Sequence, residues 1–177
     1  MTTVYTDNFI HQIPEGDDHK RMVCADCGFI AYENPKIIAG SVVMCGDKVL
    51  LCRRAIHPQK GKWTIPAGFL EMGETPAEGA AREAWEEARA KITIRDLLAI
   101  YTVKRISQVQ MMYRAYLPEP VFEPGPESLE VVLFDWADIP WADLAFPSVH
   151  WALHHFQAVE GKQGFAPFSN PEGWEQA

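Results

Sequence analysis

Residues Gly68 to Glu87 read GFLEMGETPAEGAAREAWEE, and this stretch decides how the chain is understood. Glu83, Glu86 and Glu87 stand three and four residues apart, behind a Gly-containing turn and a separate Glu74. Residues at those spacings share one face of a helix, so the carboxylates are expected to converge on one spot. Concentrated carboxylate oxygens suit hard divalent cations such as Mg²⁺ or Mn²⁺, whose remaining positions substrate phosphates complete. A solvated acidic helix face is the competing reading of the same charges. Ala77, Ala80, Ala81, Ala84 and Ala88 weigh against it, because a stripe of small apolar side chains lets the helix dock closely on a sheet. Arg82, beside Glu83 and four residues from both Glu78 and Glu86, can brace the cluster by ion pairing.

These residues resemble the Nudix box. That motif places Gly, Glu, Arg-Glu, an apolar residue, Glu-Glu, Gly and an apolar residue at fixed spacings, and Gly68, Glu74, Arg82, Glu83, Ala84, Glu86, Glu87 and Ala90 stand at the corresponding places. The departure is Arg89, where the motif has glycine. A glycine there would end the helix in the left-handed region. Arg89 is therefore expected to cost about 1 kcal/mol in the same turn, or to let the helix run one residue further.

The resemblance implies an α/β/α sandwich with a mixed sheet and hydrolysis of a nucleoside diphosphate linked to another moiety. It implies Mg²⁺, with Mn²⁺ able to substitute, held by Glu83, Glu86, Glu87 and the carbonyl of Gly68. Glu74 and Arg82 would be positioning residues of the catalytic set. The base is one of the box glutamates or one of Glu123, Glu127 and Glu130, on the loop expected after a Tyr113–Leu117 strand.

Composition agrees with an enzyme of this size. The chain has 177 residues, is 47% hydrophobic and 23% charged, and carries a net charge of −8. That length supports one domain with a real core and a small appendage. The acidic balance argues against nonspecific nucleic-acid binding. No apolar run reaches the length of a membrane span. The start, MTTVYTDNF, lacks a basic, apolar signal pattern, which makes the cytoplasm the expected compartment.

Cys24-Ala-Asp-Cys27-Gly28 has the form of a metal knuckle, but tetrahedral zinc needs four ligands. Cys45 and Cys52, the other cysteines, belong to strands of the main domain. The region from Ile13 to Gly40 resembles the second half of a zinc ribbon that precedes the Nudix domain in one subgroup. The first cysteine pair of such a ribbon would fall near Thr2 to Tyr5, where this chain has none. The expectation is a degenerate, metal-free ribbon over residues 1–35, with Cys24 and Cys27 as a zinc remnant; His11 or His19 as stand-in zinc ligands is the alternative, set against the reading of such lone histidines as surface residues. A redox Cys-x-x-Cys is the other option, without its usual βαβ setting. The Nudix domain is expected over residues 36–160 and an irregular tail over 161–177. A homodimer is expected by analogy, since a half ribbon and exposed strand edges want cover.

Strands are expected at Ile37–Met44 and Lys48–Arg53 around a Cys45-Gly46-Asp47 turn, then at Trp63–Ala67, Lys91–Val103, Val109–Leu117 and Val131–Trp136. Thr75 and Pro76 read as the start of the box helix. Val149–Val159 reads as a second helix. For substrate, Arg53, Arg54 and Lys60 can meet phosphates, and Trp63, Tyr101 and Tyr113 can stack on a base or pack in the core. His150, His154 and His155 read as packing or surface residues. The Ser-Gln-Pro-Trp-Pro-Phe-Pro marker of NADH-cleaving members is absent, since this chain has Ser107-Gln108-Val109-Gln110. The subgroup resemblance favours ADP-ribose or FAD, cleaved to release AMP. The rivals are a catalytically silent nucleotide-binding sensor module and a zinc-ribbon interaction protein with a passive body.

Overall fold

The computed structural model describes residues 8–174, and the chain divides into two units at Pro35/Lys36. In the first unit, β1 (Phe9–Gln12), β2 (Arg21–Cys24) and β3 (Ile30–Ala31) form an antiparallel sheet in sequence order. Val23 is the only buried apolar residue among those described there, too little for an extensive core. Polar contacts supplement it: Arg21 donates to Asp17 at 2.9 Å and lies over the Tyr32 ring. Positions 2–5, where a first cysteine pair would stand, lie outside the described residues.

The second unit is built on β4 (Lys36–Cys45), β5 (Lys48–Arg54), β6 (Trp63–Thr64), β7 (Ala67–Phe69), β8 (Thr93–Val103), β9 (Gln108–Tyr116) and β10 (Ser128–Phe134). Their main path runs β10-β5-β4-β9-β8, with β6 on β5 and β7 on β4. Only β4 and β9 pair in parallel; the other ladders are antiparallel. β4 is buried from Ile38 through Met44, the continuous apolar pattern of a strand covered on both faces. Alternation sorts its neighbours between the two faces. Val42 and Leu51 join Tyr101, Leu153 and Phe156 of one core, while Val43 and Leu50 join Ala88, Ala115 and Val131 of the other. Helix α1 (Pro76–Ala88) covers the second face and α2 (Pro147–Ala158) the first, which gives the sandwich expected from the sequence.

Two strand expectations need correction. The strand expected at Trp63–Ala67 is two strands, because the chain leaves β5 after Thr64, passes Ile65-Pro66 and joins β4 from Ala67. Proline offers no N–H for a continuous ladder. The last strand begins three residues early, at Ser128, through an irregularity at Ser128/Glu130. The segment after Gly161 is irregular yet tied down. Phe168 exchanges backbone hydrogen bonds with Leu98 and Ile100, and Asn170 bonds both backbone groups of Thr102. Buried Arg114 pairs with Asp96 and donates to the carbonyls of Val159 and Lys162. No helix among the described residues is long and apolar enough to cross a membrane.

Candidate active site

The box helix is started by its own sequence. Thr75 accepts from the Glu78 N–H, and the Glu78 carboxylate accepts from the Thr75 N–H at 2.7 Å, a reciprocal capping box with Pro76 in the first turn. The end is equally defined. Arg89 takes the left-handed conformation with φ 50°, so the family's turn forms without its glycine. Its N–H bonds back to Trp85 at 2.9 Å and its guanidinium donates to the same carbonyl.

Between these ends the helix presents Ala80, Glu83, Ala84, Glu87 and Ala88 as a buried face. The small alanines bring it near enough to the sheet for the two glutamates to reach β7. Glu83 lies directly on Gly68, since a Cβ there would come within 2.4 Å of its carboxylate. Glu87 accepts from the Ala67 N–H at 3.3 Å.

Arg82 organises the remainder. It donates to both oxygens of Glu74 at 2.8 and 3.0 Å, to the Phe69 carbonyl at 2.8 Å, to Glu83 at 2.7 Å and to Glu86 at 3.1 Å. Its planar fork can serve several oxygens at once. Arg82, helped by the Glu71 N–H, holds the Glu74 carboxyl down to about 2. Glu83 and Glu87 move the other way. Burial raises both, and the Glu83 charge adds to the push that takes Glu87 to about 8.

The box carboxylates do not close on a single point as the helical spacing suggested. Among the described residues, the only acidic, histidine or cysteine group with three ligand atoms within 4.8 Å of one another is Asp17, Asp18 and His19. Glu83 and Glu87 point into the protein, whereas Glu86 is exposed and held by Arg82. Like charges favour this separation. The donor set still fits a hard divalent cation, because burial and mutual repulsion raise the proton affinity of two carboxylates that a cation would relieve.

The structure separates Glu123, Glu127 and Glu130, the last of which lies in β10 and not on the loop. Glu127 faces both buried carboxylates closely enough for its charge to raise their proton affinity. Glu130 reaches towards Arg53 at 3.6 Å, and Glu123 lines a separate cleft with Trp85 and Arg89. The loop carrying Glu127 docks on the end of α1 through Glu123 N–H to Ala88 O and Gly125 N–H to Glu87 O, both 2.9 Å. Only glycine permits that approach, since a Cβ at 125 would sit 1.7 Å from the Glu86 carbonyl oxygen. Sequence reasoning named Glu127 without preference and missed the docking; Pro124-Gly125-Pro126 was the available signal.

The substrate candidates are dispersed. Arg54 faces the site and lowers the proton affinity of Glu87, while its guanidinium also donates to Pro58 O and covers the Phe146 ring. Arg53 donates to Gly61 O at 3.0 Å. Lys60 is exposed in the following turn. Trp63 packs edge-on against Phe134. Tyr101 is fully buried and hydrogen-bonded to His155, so it serves the core instead of a ligand. His154 stacks on Trp141 and His155 on Phe168, as packing residues.

The described residues of the half ribbon offer a tetrahedral zinc ion two of the four ligands it needs. Cys24 and Cys27 supply two sulfurs, and neither belongs to a group of three metal-ligating side chains among the described residues. His19 pairs with Asp18 instead.

Known proteins place the chain. The NUDIX domain family matches residues 35–163, and the Nudix N-terminal family matches residues 7–33. The chain is similar to a NUDIX hydrolase from Nitrosomonas europaea of known crystal structure, with 48% identity, a TM-score of 0.86, and 92% of this chain and 93% of that one covered. An ADP-ribose pyrophosphatase from Methanocaldococcus jannaschii is 34% identical over 113 residues, 62% of this chain and 67% of that protein. A NAD-capped RNA hydrolase NudC from Edwardsiella ictaluri is 36% identical over 84 residues, 46% of this chain and 32% of that protein. The chain thus spans from about a third to two thirds of the length of these two curated relatives. With the match running through the box, the sheet and both helices, the chain belongs to the Nudix family.

Proposed function

We propose that the protein hydrolyses the pyrophosphate bond of a nucleoside diphosphate-linked metabolite, ADP-ribose or FAD by preference, and releases AMP. The observation that carries this reading is the pair of buried carboxylates, Glu83 held against Gly68 and by Arg82, and Glu87 held by the Ala67 N–H. The similarity to an ADP-ribose pyrophosphatase supports the substrate class.

Gly68 O, Glu83, Glu86 and Glu87 would hold Mg²⁺, or Mn²⁺ in its place. A divalent ion held by these residues would supply charge neutralisation for the phosphates and a lowered pKa for the attacking water. The chain's own residues do the rest. Arg82 fixes Glu83 and Glu86, and Glu74 fixes Arg82. Glu127, exposed on its docked loop and facing Glu83 and Glu87, is placed to accept the proton of the attacking water. Arg54 faces the site with a cation suited to a phosphate oxygen. Arg53, Lys60 and Trp63 complete the proposed substrate set. The same reading places the enzyme in the cytoplasm as a homodimer.

The test is a hydrolysis screen of ADP-ribose, FAD, NADH, diadenosine polyphosphates and coenzyme A with Mg²⁺ or Mn²⁺, products resolved by chromatography. Selective AMP release from ADP-ribose or FAD is expected. Preference for NADH would shift the substrate towards the chemistry named for the NudC relative. Silence across the panel with retained nucleotide binding would replace hydrolysis by the sensor role.

A further inference from the structure

Among its described residues the first unit keeps the turn of a metal knuckle but gathers no third ligand beside Cys24 and Cys27, which leaves two thiols in one turn. Cys24 ends β2, Cys27 follows three residues later, and the turn is closed by Cys24 N–H to Phe29 O at 2.8 Å and Gly28 N–H to Cys24 O at 2.9 Å. Cys27 is exposed and Cys24 half-buried, both as free thiols. The N–H groups of Cys27 and Asp26 and the Cys27 side chain are the neighbours that act on the Cys24 thiol. In that setting the Cys24 thiol is lowered from its usual value, with the Cys27 N–H as the main cause and the nearby Asp26 charge opposing. The other two cysteines differ. Cys52 is buried between sheet and helix, and Cys45 is half-buried beside the β4–β5 turn.

We propose that Cys24 and Cys27 form a thiol–disulfide exchange site for low-molecular-weight disulfides. The Cys24 thiolate attacks one sulfur of a disulfide RSSR, forming a Cys24–SR bond and expelling one RS⁻, which takes up the proton Cys24 released. The Cys27 thiol then loses its proton and attacks the Cys24 sulfur, breaking the Cys24–SR bond and expelling the second RS⁻, which is protonated in turn. Two protein thiols are oxidised to one disulfide, and RSSR is reduced to two RSH. The spacing serves this step as well as metal binding, since Cys24 and Cys27 stand at the two ends of one four-residue turn closed by the Gly28 N–H on the Cys24 carbonyl. The backbone N–H groups on Cys24 stabilise its anion, the reactive form.

The experiment uses the full chain, stripped with a chelator and incubated with oxidised glutathione in a series of glutathione redox buffers, then quenched with acid and an alkylating reagent. Intact mass and peptide mapping should show the loss of two hydrogen atoms per chain and a single Cys24–Cys27 link, with Cys45 and Cys52 still alkylated. Cys27→Ser should stop at the first step and carry one glutathione on Cys24. Wild-type protein with both thiols free in the most oxidising buffer would overturn the proposal, and needs no variant to fold. So would one zinc per chain surviving the chelator, because both sulfurs would then be committed to metal.

Discussion

Glu83 rests on the backbone of Gly68 with no room for a methyl group, because a Cβ at 68 would stand 2.4 Å from the Glu83 carboxylate. The first residue of the box is thus shaped by one of its acids. Gly68→Ala is expected to push Glu83 aside and lower turnover by about a hundredfold, the order reached when a catalytic group moves by roughly 1 Å. Steady-state kinetics with ADP-ribose and Mg²⁺ check it. Undiminished kcat would show that the contact does not position the acid.

Glu87→Gln separates function from stability. Turnover should fall by about a thousandfold or more, since a metal ligand is lost. The metal-free protein should melt no lower than wild type, because glutamine needs neither the charge that burial penalises nor the proton that Glu87 takes up to avoid it, and it keeps an oxygen for the Ala67 N–H. Full activity at saturating Mg²⁺ would defeat the ligand assignment. A large drop in melting temperature would defeat the electrostatic one.

The pH dependence of the metal-free protein follows from the same group. Glu87 titrates near 8 when folded against an ordinary 4.5, so the native chain holds a proton that the unfolded chain releases. The resulting stability is complete below 4.5 and is lost as pH rises towards 8. Half-buried His150 and His155, both lowered by partial burial, act in the opposite sense and lose their contribution as pH falls through the imidazole range. Subtracting wild-type from Glu87→Gln melting temperatures cancels the histidines. With chelator present, that difference should grow from about pH 5 to pH 8. A flat difference would contradict the burial argument.

Arg82→Lys tests geometry at constant charge. An ammonium cannot span Glu74, Glu83, Glu86 and the Phe69 carbonyl together, as the guanidinium does. Activity should fall about ten- to a hundredfold. Wild-type kcat in this variant would show that charge alone suffices.

Arg89→Gly should stabilise the protein. The position has φ 50°, where glycine avoids a cost of about 1 kcal/mol, partly offset here by losing the Arg89–Trp85 contacts. A rise of about 2 °C in melting temperature is expected for a chain of this size. A fall would mean the side-chain contacts outweigh the backbone strain.

What could be read in the sequence was local. The spacing of Glu83 and Glu87, the Thr75 cap and the Gly46-Asp47 turn each act within a few residues, so periodicity and turn chemistry expose them. The parallel pairing of β4 with β9 and the approach of Glu127 to the buried carboxylates join distant segments, and no local pattern encodes them. The convergence of three carboxylates was overstated because helical spacing fixes the direction of a side chain but not its burial. Glu86 follows Arg82 outward while its two neighbours follow the alanines inward.

The docking of Glu123 and Gly125 on the last carbonyls of α1 divides the β9–β10 connection into two parts with different freedom. From Gly125 onward each residue is counted, because adding or removing one would detach Glu127 from the buried acids while leaving the box itself intact. Before Glu123 the chain bulges outward through Pro118–Val121, where exposed positions can be lengthened or exchanged at little cost. The first part, which borders the separate cleft beside Trp85 and Arg89, is therefore free to vary while the second keeps Glu127 where it stands.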